Sequence, residues 1–477
     1  MTSADVLDWN SRPLRRCLSP KHRYGFRIAT QVDPIDFLLI TALIYEIGND
    51  IEKARIPKSE GIVHSNRFKS DADGRMFDPE IGFDTFRQRS SDLATSGSYS
   101  HVVVTDIADF FPRLYSHRVE GALSNATKHN NHVKAIMHLL SEWNQTVSYG
   151  IPVGQAASFL IAEITIDDID RTLRSEGITF VRYVDDYRLF ANSAIEAHRH
   201  LATLANALFN NHGLTLQEHK THILSTDDFL RGYFSTGAGI ELAALKEKFA
   251  EFIVSAGLEH PYNDIEYEDL SHEDQELIDS LNLTELLNDQ LRSPDPDISL
   301  LRFIISRLGQ LDNHECASII LENIDKLYPI FPAVIRYLGR LRKLSSVEKT
   351  AIGAQALELI DKSFVSHLEY HRAWLFSLFS EGVGWGAGTE LASLFSKFPD
   401  QFSQRKLVLA LGKSHQDFWF RARKDSIFES VGWYRRAFLA GASCLPNDER
   451  KHWFNFLKPH SDLLEQAVMK WASSNPN

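Results

Sequence analysis

Phe180-Val-Arg-Tyr-Val-Asp-Asp-Tyr-Arg-Leu-Phe190 sets two adjacent carboxylates, Asp185 and Asp186, between two apolar, β-prone arms. Strand sequences avoid paired negative charge, so the stretch predicts a tight β-hairpin with its acids at the bend. Carboxylates crowded at a turn repel one another unless a cation sits on them. A divalent metal carrying a nucleoside triphosphate meets that need, because Mg²⁺ is held by one or two carboxylates together with substrate phosphates. The pair alone decides little. Asp167-Asp168 and Asp227-Asp228 repeat it, and a solvated turn accounts for any one of them.

Upstream of the hairpin, His101-Val-Val-Val-Thr-Asp106 is a short β-branched run, expected as a buried strand ending in an acid. A helical stretch follows from Arg118 to about Glu142, then the loop Ser148-Tyr-Gly-Ile-Pro-Val-Gly154 and a helix over Gln155–Ser175. Beyond the hairpin, Ala194–His212 carries Leu201, Leu204 and Leu208 on one stripe, with Gly213 as its stop. Leu214 to Leu224 returns as strand and turn. The order strand, helix, helix, hairpin, helix, strand predicts an α+β module, a small antiparallel sheet covered on one face by helices.

Before this module, Asp33-Pro34 is placed to cap an apolar helix running through Ile47, and Lys69 to about Ser100 reads as a loop rich in Asp, Gly and Ser. After about residue 240 nearly everything reads as amphipathic helices with short polar breaks, for example Leu300–Leu311, Ala351–Ser363 and Glu429–Ala442. Such short-looped pairs suggest a HEAT-like helical-repeat array. The expected division is 1–100, 101–235 and 236–477.

The totals bound the function. The 477 residues are 43% hydrophobic and 24% charged, an ordinary globular composition with length for two or three domains. No apolar run reaches membrane-spanning length and the first residues lack a secretory layout, so a cytoplasmic protein with no membrane partner is expected. Three scattered cysteines give neither a disulfide framework nor a zinc site. A net charge of −12 argues against indiscriminate coating of nucleic acid and confines any such groove to a local basic feature.

Two-metal nucleotidyl transfer needs one acid from a first strand and one or two from a neighbouring hairpin, around ions roughly 4 Å apart. Asp106, which ends a strand, is the obvious partner for Asp185 and Asp186; alone it reads equally as a capping Asp after a strand. Asp106-Ile-Ala-Asp-Phe-Phe111, Gly150-Ile-Pro-Val-Gly154 with Ser158, Tyr183-Val-Asp-Asp186, and Leu214 through Lys220 resemble, in order and in spacing, the palm motifs of reverse transcriptases. The resemblance covers about residues 15–230. It implies a right-hand polymerase with fingers (1–100) and palm (101–235), followed by the all-α array in place of a short thumb.

Carried over residue by residue, the resemblance makes Asp106, Asp185 and Asp186 metal ligands, with the backbone of Ile107 beside the second of two Mg²⁺ ions. Lys220 becomes a proton donor to the leaving pyrophosphate. Phe110, Phe111, Pro152, Gly154 and Gln155 would surround the incoming dNTP, with Phe111 against its sugar where a 2′-hydroxyl would sit. That position predicts a DNA polymerase rather than an RNA polymerase, and Phe110 better suits the core. In the fingers, Pro20–Arg27 and Val63–Phe68 resemble segments that grip template and triphosphate, with Arg67 at a phosphate and Lys21 or Arg27 at template or nucleotide.

Val153 stands where retroviral and group II intron enzymes carry Gln. No RNase H carboxylate set or HNH-type endonuclease accompanies the palm. Gly432-Trp-Tyr-Arg-Arg-Ala-Phe438 and Leu445-Pro-Asn-Asp-Glu-Arg-Lys-His-Trp453 resemble the tail of bacterial abortive-infection and unknown-group defence reverse transcriptases. That resemblance implies DNA synthesis in anti-phage defence, either protein-primed without a template or copied from a structured noncoding RNA. It further implies a homo-oligomer and a phage-encoded trigger. Tyr434 does not stand out as a priming residue. A non-catalytic phage-sensing protein is the rival reading, disfavoured by three retained, mutually repelling acids.

Overall fold

The computed structural model describes residues 3–22, 25–145, 147–234, 244–245, 247–249, 251–252, 270–382, 384–430 and 432–475. The chain divides into two compact units, residues 1–16 with 28–236 and residues 17–27 with 237–477. The expected boundary at 235–236 lies outside the described residues.

A two-stranded sheet pairs β1 (Arg15–His22) with β2 (Gly25–Gln31). The first unit is built on a second sheet of β3 (His101–Asp106), β4 (Thr179–Tyr183), β5 (Asp186–Ala191) and β6 (His222–Ser225). Its order is β4-β5-β3-β6, antiparallel throughout. Val103 and Leu189 face one cluster, shared with the helices Pro34–Ala54, Asn130–Asn144, Ala156–Thr165 and Ala194–His212. Val102, Val104, Val181 and Phe190 face another, closed by Phe86 and Leu93 of the helix Phe83–Thr95 and by Phe229 of the helix Thr226–Phe234.

The sheet is therefore covered on both faces, a correction to the one-sided cover expected. Its cause is the helix Phe83–Thr95, in a stretch read as loop. Phe86, Ser90 and Leu93 fall at i, i+4 and i+7 and are buried, but intervening Asp, Arg and Ser residues conceal that stripe. Two long helix expectations also break into pairs. Arg118–Glu142 becomes Ser116–Ala126 and Asn130–Asn144, and Gln155–Ser175 becomes Ala156–Thr165 and Asp167–Ser175. The caps hold as read: Asp33 accepts from the Ile35 amide, and Gly213, at φ +64°, ends Ala194–His212.

In the second unit every described element beyond residue 270 is helical. Ile298–Gln310 packs on Phe331–Arg340, which packs on Glu369–Glu381, then Gln401–Lys413, Gly432–Gly441 and Leu463–Ser474 in succession. The helices between them, such as Ser346–Lys362 and Gly388–Lys397, alternate with that row. A single apolar core runs through the row, including Leu301, Phe331, Phe376, Leu411 and Phe438.

Candidate active site

The sheet register puts the acids together. β3 and β5 pair with Asp106 opposite Asp186, and β4 and β5 close the hairpin with Tyr183 opposite Asp186. Ligand oxygens of Asp106, Asp185 and Asp186 all lie within 4.8 Å of one another. A residue distant in sequence thus becomes a direct neighbour, as two-metal chemistry requires.

The turn joining β4 to β5 is strained. Val184 has φ +55°, a region that β-branched residues rarely enter. Its N–H donates to Ser65 Oγ (2.9 Å), and its carbonyl accepts from Arg182 Nη1 (2.8 Å). The next carbonyl, that of Asp185, accepts from the Ile107 amide (3.0 Å), while the Asp106 carbonyl accepts from Gln217 (2.7 Å). These bonds fix the backbone of Asp185 and Asp106, and the pairing of β5 with β3 and β4 fixes that of Asp186.

The electrostatics are those of a cation site. Burial, then the charges of Asp106 and Asp186, push the Asp185 carboxyl up to about 7. Lys220, in the turn Glu218–Lys220, ion-pairs with Asp106. Burial works against its ammonium, but the hydrogen bond and charge of Asp106, with Asp186 and Asp185, outweigh it and raise the lysine above its usual value. Lys220 on Asp106 and Arg188, 3.8 Å from Asp186, leave three acids with two cations, still short of positive charge. An all-oxygen donor set of this kind fits a hard divalent cation.

The other expected residues are placed as follows. Ile107 is buried, and Phe110 is buried in the core, whereas Phe111 is only partly buried, its ring edge-on to Phe159 (5.5 Å). Gly154 takes φ +88°, which accounts for a glycine there, but a Cβ at that position would meet no protein atom within 4 Å. The close backbone approach is at Gly150, where a Cβ would lie 3.1 Å from the Pro112 carbonyl oxygen. Val153, between Pro152 and Gly154, exchanges hydrogen bonds with Thr30 through its N–H (2.8 Å) and carbonyl (3.2 Å). Gln155 stands at the N-terminal boundary of the helix Ala156–Thr165, makes no side-chain cap bond there, and is largely buried.

Among the basic residues of the fingers, Arg67 lies elsewhere than expected. Arg67 is 1% exposed, with Nη1 on Glu52 (3.0 Å) and Nε donating to the Val63 carbonyl (3.1 Å). Its guanidinium is enclosed by protein rather than presented to a phosphate. Lys21 and Arg27 are exposed on β1 and β2, in the segment 17–27 that groups with the second unit. Arg23 and Tyr24 lie outside the described residues.

Sequence reading missed the support beneath the hairpin. Glu163, 1% exposed, accepts from Arg55 (2.7 Å) and Asn66 (3.2 Å) and pairs with Arg182 (3.0 Å). Arg182 also forks onto Asp170 at 2.6–3.0 Å, and Tyr187 donates to the same carboxylate (3.1 Å). Against the penalty of burial, Arg182 and Arg55, with hydrogen bonds from Ser65 and Asn66, hold the Glu163 carboxyl below its usual range. One signal was available. Glu163 is a lone charge in the apolar run Phe159-Leu-Ile-Ala-Glu-Ile164, and such a group survives burial only when paired.

Residues 62–253 match the family model described as reverse transcriptase (RNA-dependent DNA polymerase). The chain carries a reverse transcriptase domain. The family description agrees with what the ordered motifs implied, and the acidic triad of the domain can hold a divalent metal. No curated protein sequence matches the chain. Telomerase from Candida albicans, solved in complex with a fragment of telomeric RNA, aligns at TM-score 0.32 and 12% identity, over 76% of this chain and 65% of that one. Apo telomerase from Candida tropicalis aligns at TM-score 0.34 and 11% identity, over 74% and 67%. The reverse transcriptase domain thus spans part of the chain, and the chain spans about two thirds of the telomerases. Among the described residues no helix is long and apolar enough to cross a membrane.

Proposed function

We propose that the chain is a DNA polymerase of reverse transcriptase type, joining dNTPs by two-metal nucleotidyl transfer. The observation that carries this reading is the register of Asp106 against Asp186, which gathers three carboxylates within 4.8 Å; burial and then their mutual repulsion lift Asp185 to about 7. Asp106, Asp185 and Asp186 would hold two Mg²⁺ ions, with the Ile107 backbone beside the second. Bound there, the ions would lower the charge barrier to attack by a primer hydroxyl on the α-phosphate. Lys220, kept protonated by Asp106, donates its proton to the departing pyrophosphate. Phe111 bars the 2′-hydroxyl of a ribonucleotide, in keeping with its partly exposed ring. Gln155, Pro152 and Gly154 shape the nucleotide floor.

We further propose that this synthesis serves bacterial anti-phage defence in the cytoplasm, through a homo-oligomer responsive to a phage-encoded trigger. Its support is the resemblance of Gly432–Phe438 and Leu445–Trp453 to defence reverse transcriptases. The succession of packed helices in the second unit supports a HEAT-like array. Protein-primed, template-free synthesis is the first reading. Copying of a structured noncoding RNA is the second, favoured by the RNA-dependent description of the matching family.

The test is Asp185→Ala with Asp186→Ala in the full chain expressed from its own locus. Mg²⁺-dependent dNTP incorporation is expected to fall at least about a thousandfold, near the contribution of charge stabilisation to such reactions, and phage protection to be lost with it. Unchanged protection would refute the enzymatic reading. Sequencing the nucleic acid retained after protease or RNase treatment separates covalent, protein-primed product from copies of a bound RNA. In the same assay Phe111→Ala is expected to admit ribonucleotides, and unaltered discrimination would remove Phe111 from the sugar site.

A further inference from the structure

The turn that carries Asp185 is closed into a ring of hydrogen bonds by buried residues. Val184 N–H donates to Ser65 Oγ (2.9 Å), and the Ser65 hydroxyl donates to Glu163. Glu163 pairs with Arg182 Nη1 (3.0 Å), which returns to the Val184 carbonyl (2.8 Å). Ser65 is fully buried, and Glu163 and Arg182 are each 1% exposed. The ring is braced at both sides. Ser65 is held by Arg55 Nη2 on its carbonyl (3.0 Å), and Arg182 exchanges backbone bonds with Ile62 (2.8 Å) and His64 (2.9 Å).

An L-residue at φ +55° relaxes toward negative φ unless the surroundings over-determine it, and a valine resists most. Here both polar backbone groups of Val184 are clamped from opposite sides. Rotation of that one peptide would re-aim the Asp185 carboxylate, since Asp185 is the next residue. The segment Val63–Phe68 has no need to reach a phosphate to matter for catalysis.

We propose that Ser65, anchored by Glu163 and Arg182, is a positioning residue that holds the strained Val184 turn and thereby fixes Asp185 and Asp186 in metal-binding geometry. The inference rests on the metal-dependent reading of the triad and goes beyond it, because it assigns the geometry of the acids to a serine of another segment.

A double-mutant cycle in the full chain tests it, read first as Mn²⁺ affinity by titration calorimetry. Ser65→Ala is expected to weaken Mn²⁺ binding about tenfold, the scale set by a strained turn of this kind, and to lower kcat with little change in the KM for dNTP. Val184→Gly removes the strain, because glycine enters positive φ freely. In that background Ser65→Ala is expected to change Mn²⁺ affinity by less than about threefold, a coupling that independent sites do not show. Wild-type Mn²⁺ affinity in Ser65→Ala, or an equal loss in both backgrounds, overturns the proposal. Should Ser65→Ala not fold, Ser65→Cys keeps the volume with a weaker acceptor. It must then show a smaller loss in the same direction, abolished by Val184→Gly, and no loss refutes the ring. Failure of the polymerase reading shows separately, as absence of incorporation by a wild-type chain that binds Mn²⁺ normally.

Discussion

The two units bury charge for opposite purposes. In the sheet unit Arg55, Glu163, Asp170 and Arg182 are almost fully enclosed and satisfy one another, and their last free donor goes to the turn before Asp185. In the helical unit buried arginines serve chain ends. Arg450 donates to the carbonyls of Ser443 (2.6 Å) and Leu445 (3.0 Å), and Arg435 donates to His460 (2.8 Å). A helix terminus leaves carbonyls without partners, and an arginine fork supplies them. The helical unit keeps buried ion pairs too, Arg435 with Glu465 (3.3 Å) and Arg372 with Asp400 (2.7 Å), but its arginines also supply chain ends, whereas those of the sheet unit brace a strained turn between acids. The contrast follows from what each backbone leaves unsatisfied.

The largest expected break in this comparison is Arg182→Met. It leaves Glu163 and Asp170 buried without their shared cation, and losing one partner of a buried pair costs about 3–5 kcal/mol. Chemical denaturation should show that loss, with Mn²⁺ affinity falling beside it because the Val184 carbonyl also loses its donor. A fall in stability with unchanged Mn²⁺ affinity would mean that the network braces the fold and not the site.

The helical unit breaks by packing rather than by charge. Gly412 and Gly441 meet where Gln401–Lys413 lies on Gly432–Gly441, and a Cβ on Gly412 would come within 2.6 Å of the Gly441 Cα. Gly412→Val should cost roughly 1–3 kcal/mol, as overpacking of a tight core does. Mn²⁺ affinity is expected to stay at the wild-type level. Loss of both together would show that the acids depend on the helical unit.

Local chemistry was the legible part of the sequence. β3, the acidic hairpin and the helix Ala194–His212 follow from short runs with unambiguous turn or cap residues, and the motifs placed the acids without any knowledge of register. The helix Phe83–Thr95 was hidden because its stripe is thin and its exposed face is Asp, Arg and Ser. Arg67 was misleading for a physical reason. An arginine in a polar loop presents the same text whether it faces solvent or, as here, Glu52 across a buried contact. Long-range partners decide such residues, and composition does not record them.

The smallest expected effect carries a sign that separates the two kinds of burial. Asp185 has a folded pKa of about 7 against an ordinary value of 3.8, so the folded chain binds its proton more tightly than the unfolded chain does. Stability without metal must therefore fall as pH rises from about 4 to 7 and stay low above that. Asp185→Asn removes the repelled charge but keeps a polar group that must still be desolvated, which limits the gain to about 1–2 kcal/mol. At pH 8 in EDTA the variant should melt a few degrees above wild type. Below pH 4 the difference should vanish, since Asp185 is then neutral in both states. Saturating Mg²⁺ should raise the wild type and leave the variant nearly unmoved, reversing the order at pH 8. A wild type that is the more stable of the two at pH 8 without metal would mean that Lys220 already neutralises the triad. The network under Val184 would then be supporting an ordinary turn, not one held against its own charge.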